Sequence, residues 1–196
     1  CAFELYVNDN VLIPRPETEV MIDILKKENV IIKKALDIGT GSGNIAIALS
    51  LNNIAKSIMA IDSSNMALQV AKKNINRYQI DNINLLHIDY LNDSLEQSYD
   101  LIVSNPPYIP LKEYHMLSPT IRNFEPRLAL TDGDDGLTFY RKIAVNIENN
   151  LKIGGSILLE IGLEKYKDRI ENIFKENKCT WHKDLNGNFR FLRIFK

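Results

Sequence analysis

Asn105-Pro106-Pro107-Tyr108 is the stretch of this 196-residue sequence whose residue types define a chemistry most narrowly. An amide or exocyclic amino nitrogen has its lone pair delocalised into a π-system. It therefore attacks an electrophile, such as the methyl carbon of a sulfonium, only when alignment supplies much of the rate. The Asn105 side-chain oxygen and the Pro106 carbonyl oxygen can each accept one N–H of such an NH2, holding it in line and favouring the charge that develops on nitrogen. Pro106 and Pro107 stiffen the turn, with Pro107 keeping Pro106 extended, and Tyr108 offers a flat face for a planar amide or base. The competing reading is architectural: a Pro-Pro turn that ends a strand, with Asn105 as a local cap and Tyr108 in the core.

A second set of residues suggests nucleotide binding. Asp37-Ile38-Gly39-Thr40-Gly41-Ser42-Gly43 falls where a buried strand gives way to a helix, and three glycines let the backbone turn sharply and approach a ligand. The spacing G-x-G-x-G differs from the G-x-G-x-x-G of dinucleotide enzymes, and no lysine follows to hold a triphosphate. Asp62, at the end of the next strand, could accept hydrogen bonds from two ribose hydroxyls, or could cap the following helix. Tyr90, after the third strand, could stack on adenine or simply pack.

The elements that must position these residues form an alternating pattern. Strands at 35–38, 57–61, 83–87, 101–104 and 156–161 alternate with helices at 44–51, 65–78, 137–149 and 164–176, which favours a parallel sheet covered on both faces with right-handed crossovers. Gly154-Gly155 is expected to separate the third of these helices from the fifth strand. Asn186-Gly187 between two β-rich runs, 179–185 and 189–195, signals a C-terminal hairpin and an antiparallel edge. Phe3 to Leu5 reads as strand, Asn8-Asp9-Asn10 suits a hairpin or a folded-back loop, and Pro16 with Glu17 and Glu19 opens a helix. Residues 105–135, interrupted by five prolines, read as a long functional loop.

Composition excludes several classes. The net charge of −1 marks no general polyanion binder. Cys1 and Cys179 make no paired motif and His87, His115 and His182 have no ligand spacing, so neither a disulfide framework nor a metal is expected. No apolar run reaches the ~18 residues of a membrane span, and no signal peptide opens the chain. A cytoplasmic monomer is the expectation. The start at Cys1 rather than Met suggests a segment of a longer polypeptide.

The sequence resembles the HemK/PrmC protein-(glutamine-N5) methyltransferases, which modify the glutamine of the Gly-Gly-Gln motif in peptide-chain release factors. The resemblance runs through residues 12–19 (Leu-Ile-Pro-Arg-Pro-Glu-Thr-Glu), 37–43, 103–109, 125–130 (Glu-Pro-Arg-Leu-Ala-Leu) and 135–141 (Asp-Gly-Leu-Thr-Phe-Tyr-Arg). Asn-Pro-Pro-Tyr is shared with adenine and guanine amino-methyltransferases, whereas the 12–19 block looks like the glutamine enzymes. The resemblance implies an α/β, Rossmann-like class I fold with a mostly parallel seven-stranded sheet and an antiparallel C-terminal hairpin strand. It implies S-adenosyl-L-methionine as methyl donor, S-adenosyl-L-homocysteine as product and a release factor as protein substrate, with no stable nucleic-acid partner.

By the same resemblance, cofactor contacts fall on Gly39, Thr40, Gly41, Ser42, Gly43, Asp62, Tyr90 and Asn105. Substrate contacts fall on Asn105, Pro106, Pro107 and Tyr108, with Arg15, Glu17 and Thr18 lining the same cleft. Asn105, Pro106 and Tyr108 are the catalytic set. For Arg15, Glu17 and Thr18 the alternative is helix capping and a surface ion pair, and for Glu125-Pro126-Arg127 a loop anchor. Residues 1–34 are expected to lead into a single catalytic unit, 35–196, without the small helical domain that family members carry upstream, and Lys165 stands where a glutamine is common. Two rivals remain: a nucleic-acid amino-methyltransferase, which needs a flipped base and a basic face, and an inactive cofactor-binding module.

Overall fold

A computed structural model describes residues 3–27 and 32–196; Cys1 lies outside them. Seven strands form one sheet among these residues: β1 (Ile32–Ile38), β2 (Ala55–Asp62), β3 (Ile83–His87), β4 (Tyr99–Ser104), β5 (Leu151–Glu160), β6 (Lys178–Lys183) and β7 (Phe189–Phe195), in the spatial order β3-β2-β1-β4-β5-β7-β6. The pairings from β3 through β5 are parallel, whereas β7 runs antiparallel to both β5 and β6. The chain steps outward from β1 to β3 and then returns to place β4 on the other side of β1. That reversal leaves a crevice at the carboxyl ends of β1 and β4, where open α/β sheets take their ligands.

Alternation along each strand divides the core. Ala35, Ile58, Leu101 and Val103 face a cluster with α1 (Glu17–Lys27), α2 (Asn44–Leu51) and α3 (Asn65–Arg77). Leu36, Ile38, Ile102 and Ile157 face another with α7 (Thr138–Asn150) and α8 (Lys167–Ile173). Helices thus cover both faces, as the strand compositions require.

Several elements differ from expectation. Residues 3–13 form no strand ladder, so of hairpin and folded-back loop the second is observed. Side chains of α3 and its C-cap hold this strap: the Tyr78 hydroxyl accepts from Glu4 N and donates to Glu4 O, and Asn74 accepts from Tyr6 N at 2.8 Å while donating to Tyr6 O and Ser42 O. The expected 105–135 loop contains three short helices, α4 (Leu111–Tyr114), α5 (Pro119–Phe124) and α6 (Arg127–Leu130). Its prolines start them rather than break them: Pro110 and Pro126 occupy N-caps and Pro119 the first turn. β5 begins at Leu151 and continues through Gly154-Gly155, because pairing with β4 absorbs the irregularity in a register shift. Before α8, Glu164–Tyr166 is a 3₁₀ turn, so the helix there is shorter than its pattern.

Candidate active site

The glycine turn after β1 is held from below by the end of β2. Ile61 O accepts from both Gly39 N and Thr40 N, each at 2.9 Å. Gly41 and Gly43 have φ of +56° and +83°, conformations that cost other residues about 1 kcal/mol or more. A Cβ on Gly41 would meet nothing within 4 Å, since it would enter the open cleft, whereas one on Gly43 would meet Ile47 of α2 at 3.3 Å and Ala71 of α3 at 3.4 Å. Gly41 therefore clears space for a ligand and Gly43 lets α2 lie close to α3.

Asp62 is tied into this turn. One carboxylate oxygen accepts from Gly41 N and the other from Ser64 N, both at 2.9 Å. The cap of α3 is Ser64, whose hydroxyl accepts from Ala67 N, so Asp62 is not the helix cap. Burial raises its pKa, opposed by the N–H groups of Ser64 and Gly41. Each oxygen keeps a lone pair for a hydroxyl in the cleft. Asp37 lies beneath the turn, fully buried; Thr40 Oγ1 donates to its Oδ2 at 2.7 Å and Ala46 N at 3.2 Å, while its Oδ1 has no partner. Burial pushes its pKa up to about 7.

These groups open into a cleft of about 1090 Å3, its mouth included, which also takes in Thr18, Ser42, Tyr90, Asn105, Pro106 and Pro107. Ile38, Ile61, Ile88, Tyr90 and Phe139 give it an apolar slot beside the acid of β2. Burial pushes the Tyr90 hydroxyl up to about 12, with Asn146 opposing, so the side chain is neutral in this slot. A turn with cleared Cβ space, an acid beside it and an apolar slot fit an adenosyl group with a ribose.

The acceptor end is built on β4. Ser104 Oγ donates to Ile38 O at 2.8 Å, so the strand that carries Asn105 is fixed to the strand that carries the glycine turn. Neither the Asn105 side chain nor the Pro106 carbonyl accepts a hydrogen bond from any described residue. Tyr108 sits on the far side of the turn, lining a separate cavity with Gly162, Leu163 and Arg190 instead of the main cleft. Its hydroxyl is 3.5 Å from Glu160 Oε1 and from Arg190 Nη2. Burial, reinforced by the Glu160 charge, holds its pKa well above the ordinary tyrosine range.

Arg15 lines the main cleft and pairs with Glu125 at 2.6 Å, making Glu125 the anchor of its loop. Thr18 accepts from Asn44 Nδ2 at 2.8 Å, joining α1 to α2. Glu17 does not line the main cleft; its charge acts on Tyr108 and Glu160, raising both. Phe139, Ile88 and the N-terminal residues Asn10, Val11 and Leu12 also line the cleft, and none of them was expected from sequence as a cofactor or substrate contact. The signal for Phe139 was its place in the 135–141 block. Glu160 and Arg190 interrupt apolar β runs, which was theirs. Among the described residues there is no cluster of metal-ligating side chains and no helix long and apolar enough to cross a membrane.

The family model for the methyltransferase small domain matches residues 16–123. A methyltransferase from Pyrococcus furiosus superposes with a TM-score of 0.73 at 22% identity, covering 98% of this chain and 88% of its own. The N-methyltransferase NodS from Bradyrhizobium japonicum WM9, in complex with S-adenosyl-L-homocysteine, does so at 0.57 and 16% identity, covering 91% and 85%. By class, then, this is a methyltransferase with a Rossmann-like fold. The release factor glutamine methyltransferase of Flavobacterium psychrophilum is 41% identical over 96% of this chain and 69% of its own length. The chain belongs to the release factor glutamine methyltransferase family, and it spans about two thirds of the length of the curated relatives it matches.

Proposed function

We propose that the chain methylates the side-chain amide nitrogen (N5) of the glutamine in the Gly-Gly-Gln motif of a peptide-chain release factor. The observation that carries transfer to a planar nitrogen is the pair of uncommitted acceptors, Asn105 Oδ1 and Pro106 O, just beyond the strand hydrogen-bonded to the one that bears the glycine turn. The likeness to release factor glutamine methyltransferases supports glutamine as the acceptor. When bound, S-adenosylmethionine supplies a sulfonium methyl carbon as electrophile. In this reading Asp62 takes the ribose hydroxyls, the 39–43 turn lies along the cofactor, and the apolar slot with Tyr90 and Phe139 takes the adenine.

Asn105 Oδ1 and Pro106 O each accept one N–H of the glutamine amide. Two acceptors fix the NH2 plane, so the nitrogen lone pair points at the methyl instead of competing with the more basic amide oxygen. As the N–C bond forms and the C–S bond breaks, positive charge grows on nitrogen, and both oxygens stabilise it more than they stabilise the neutral amide. One N–H proton then leaves to water. Tyr108 bounds the acceptor from outside the turn, and Arg15 and Thr18 close the cofactor side. The active species is a cytoplasmic monomer without stable nucleic-acid binding.

The test is transfer of radiolabelled methyl from S-adenosylmethionine to purified release factor, beside a Gly-Gly-Ala variant, DNA and RNA. Label in the Gly-Gly-Gln protein alone is expected. Label in nucleic acid alone would overturn the reading.

A further inference from the structure

Beneath the Asn105–Tyr108 turn lies a polar cluster that alignment of an NH2 does not itself require. Glu160, the last residue of β5, has no exposed surface, and its Oε2 has no hydrogen-bond partner. Its Oε1 is 3.5 Å from the Tyr108 hydroxyl and 3.6 Å from Arg190 Nη2. Arg190, on β7, places its guanidinium 5.7 Å from the centre of the Tyr108 ring and donates through Nη1 to the carbonyl of Gly162, while its buried Nε has no partner. A fully buried acid held only loosely by a guanidinium that is itself one fifth exposed costs more than an apolar side chain that the surrounding strands would accommodate. What the two share is Tyr108.

The backbone around them is shaped to the same ring. A Cβ on Gly162 would stand 2.5 Å from Tyr108 Cδ2, so the ring lies directly on that glycine. Gly136, at φ +79°, lets the 132–137 turn approach the Tyr108 carbonyl closer than any side chain would permit. Two contacts at 3.5 Å restrain the phenol without filling its hydrogen-bonding capacity, which suits a wall that must tighten on an incoming acceptor.

We propose that Glu160 and Arg190 are positioning residues for methyl transfer, a buried acid and a partly exposed guanidinium that together hold the Tyr108 ring against Gly162 and thereby set the outer wall of the acceptor site. This rests on the reading of Asn105–Tyr108 as the acceptor site. The groups that face Glu160 come from every surrounding element: Arg190 from β7, Tyr108 after β4, and Arg15 and Glu17 from the N-terminal segment. Tyr140 of α7 donates its hydroxyl to the Glu160 carbonyl at 2.9 Å and feels the same charges, with Asp132 beside it. Burial, opposed by Arg190 and reinforced by Glu17, brings the Glu160 carboxyl to about 7. Above that pH the carboxylate accepts from Tyr108 and pairs with Arg190; below it both attractions fade.

The experiment uses the full chain with ring-labelled tyrosine. The Tyr108 resonance, assigned by its loss in Y108F, is followed by NMR about two units either side of neutrality. A midpoint near 7 that disappears in E160Q is expected. With release factor as substrate, E160Q should lower kcat about tenfold and leave cofactor affinity within about twofold. The losses of E160Q and Y108F should overlap instead of multiplying, and R190K should retain more activity than R190Q. A Tyr108 signal that ignores pH, or fully multiplicative losses, would overturn the pairing. Should E160Q not fold, the parent titration and R190K decide. Titrating Tyr108 in an enzyme that methylates no glutamine would support the pair and sink the proposed substrate.

Discussion

Arg15 and Glu125, 110 residues apart in sequence, meet at 2.6 Å where the N-terminal strap and the 105–137 segment converge at the cofactor cleft. Arg15 is about one third exposed, whereas the Glu125 side chain is 4% exposed and its Oε2 has no partner. The pair joins two blocks that the sequence presents as unrelated. Pro126, Leu128 and Ala129, which follow Glu125, line the same cleft as Arg15.

Removing the two partners therefore has unequal consequences. R15A leaves the Glu125 charge buried and should cost about 1–3 kcal/mol, whereas E125Q removes that charge and should cost less. Thermal unfolding of the two variants checks the order. Equal losses, or a larger loss in E125Q, would place the weight of the contact elsewhere. Both should weaken cofactor binding several-fold in calorimetry, because both loosen one wall of the cleft.

Asp62 joins the glycine turn and the proposed ribose site through one carboxylate. D62A removes the partner of Gly41 N and Ser64 N together with the ribose acceptor, so the cofactor Kd should rise about 10- to 100-fold. Turnover at saturating cofactor should fall much less. An unchanged Kd by titration calorimetry would confine Asp62 to holding the turn.

G162A tests the packing of Tyr108. A methyl placed 2.5 Å from a ring carbon must displace the ring at a cost of about 1–3 kcal/mol, and kcat should fall about tenfold while cofactor affinity stays within about threefold. Loss of cofactor binding instead would show that the displacement spreads to the main cleft.

Asp37 and Glu160 make a joint prediction for pH. Both carboxyls are raised to about 7 by burial, so the folded protein holds those protons more tightly than the unfolded chain. Between the unfolded values, near 4, and about 7, the unfolded state binds fewer protons, and stability falls as pH rises. Above about 7 this contribution is flat. The ligand-free protein should lose thermal stability over that window, and D37N and E160Q should each reduce the slope. A slope unchanged in both variants would mean that neither carboxyl is shifted.

The α2 limits, 44–51, and the β3 limits, 83–87, were legible because Gly43 and the polar residues around each apolar run mark their ends. The three helices of the 105–137 segment were not, since elements of four to six residues are too short to show a period. Their prolines read as breakers when in fact they sit at helix starts. The N-terminal strap was ambiguous for another reason: side chains of α3, distant in sequence, satisfy its backbone. Asn105, Asp62 and the glycine turn were legible as a set because strand ends bring them together in any fold of this order. The Tyr108 surroundings depend on β7 crossing beside β5, which no local pattern encodes.

The claim at the centre of this account is that Asn105 aligns the acceptor nitrogen and contributes little to holding the cofactor. It is tested most directly by single-turnover methyl transfer from saturating S-adenosylmethionine to saturating Gly-Gly-Gln release factor, comparing the parent with N105A. The account predicts a rate lower by roughly 10² or more, with the cofactor Kd largely preserved. A rate close to that of the parent would contradict it.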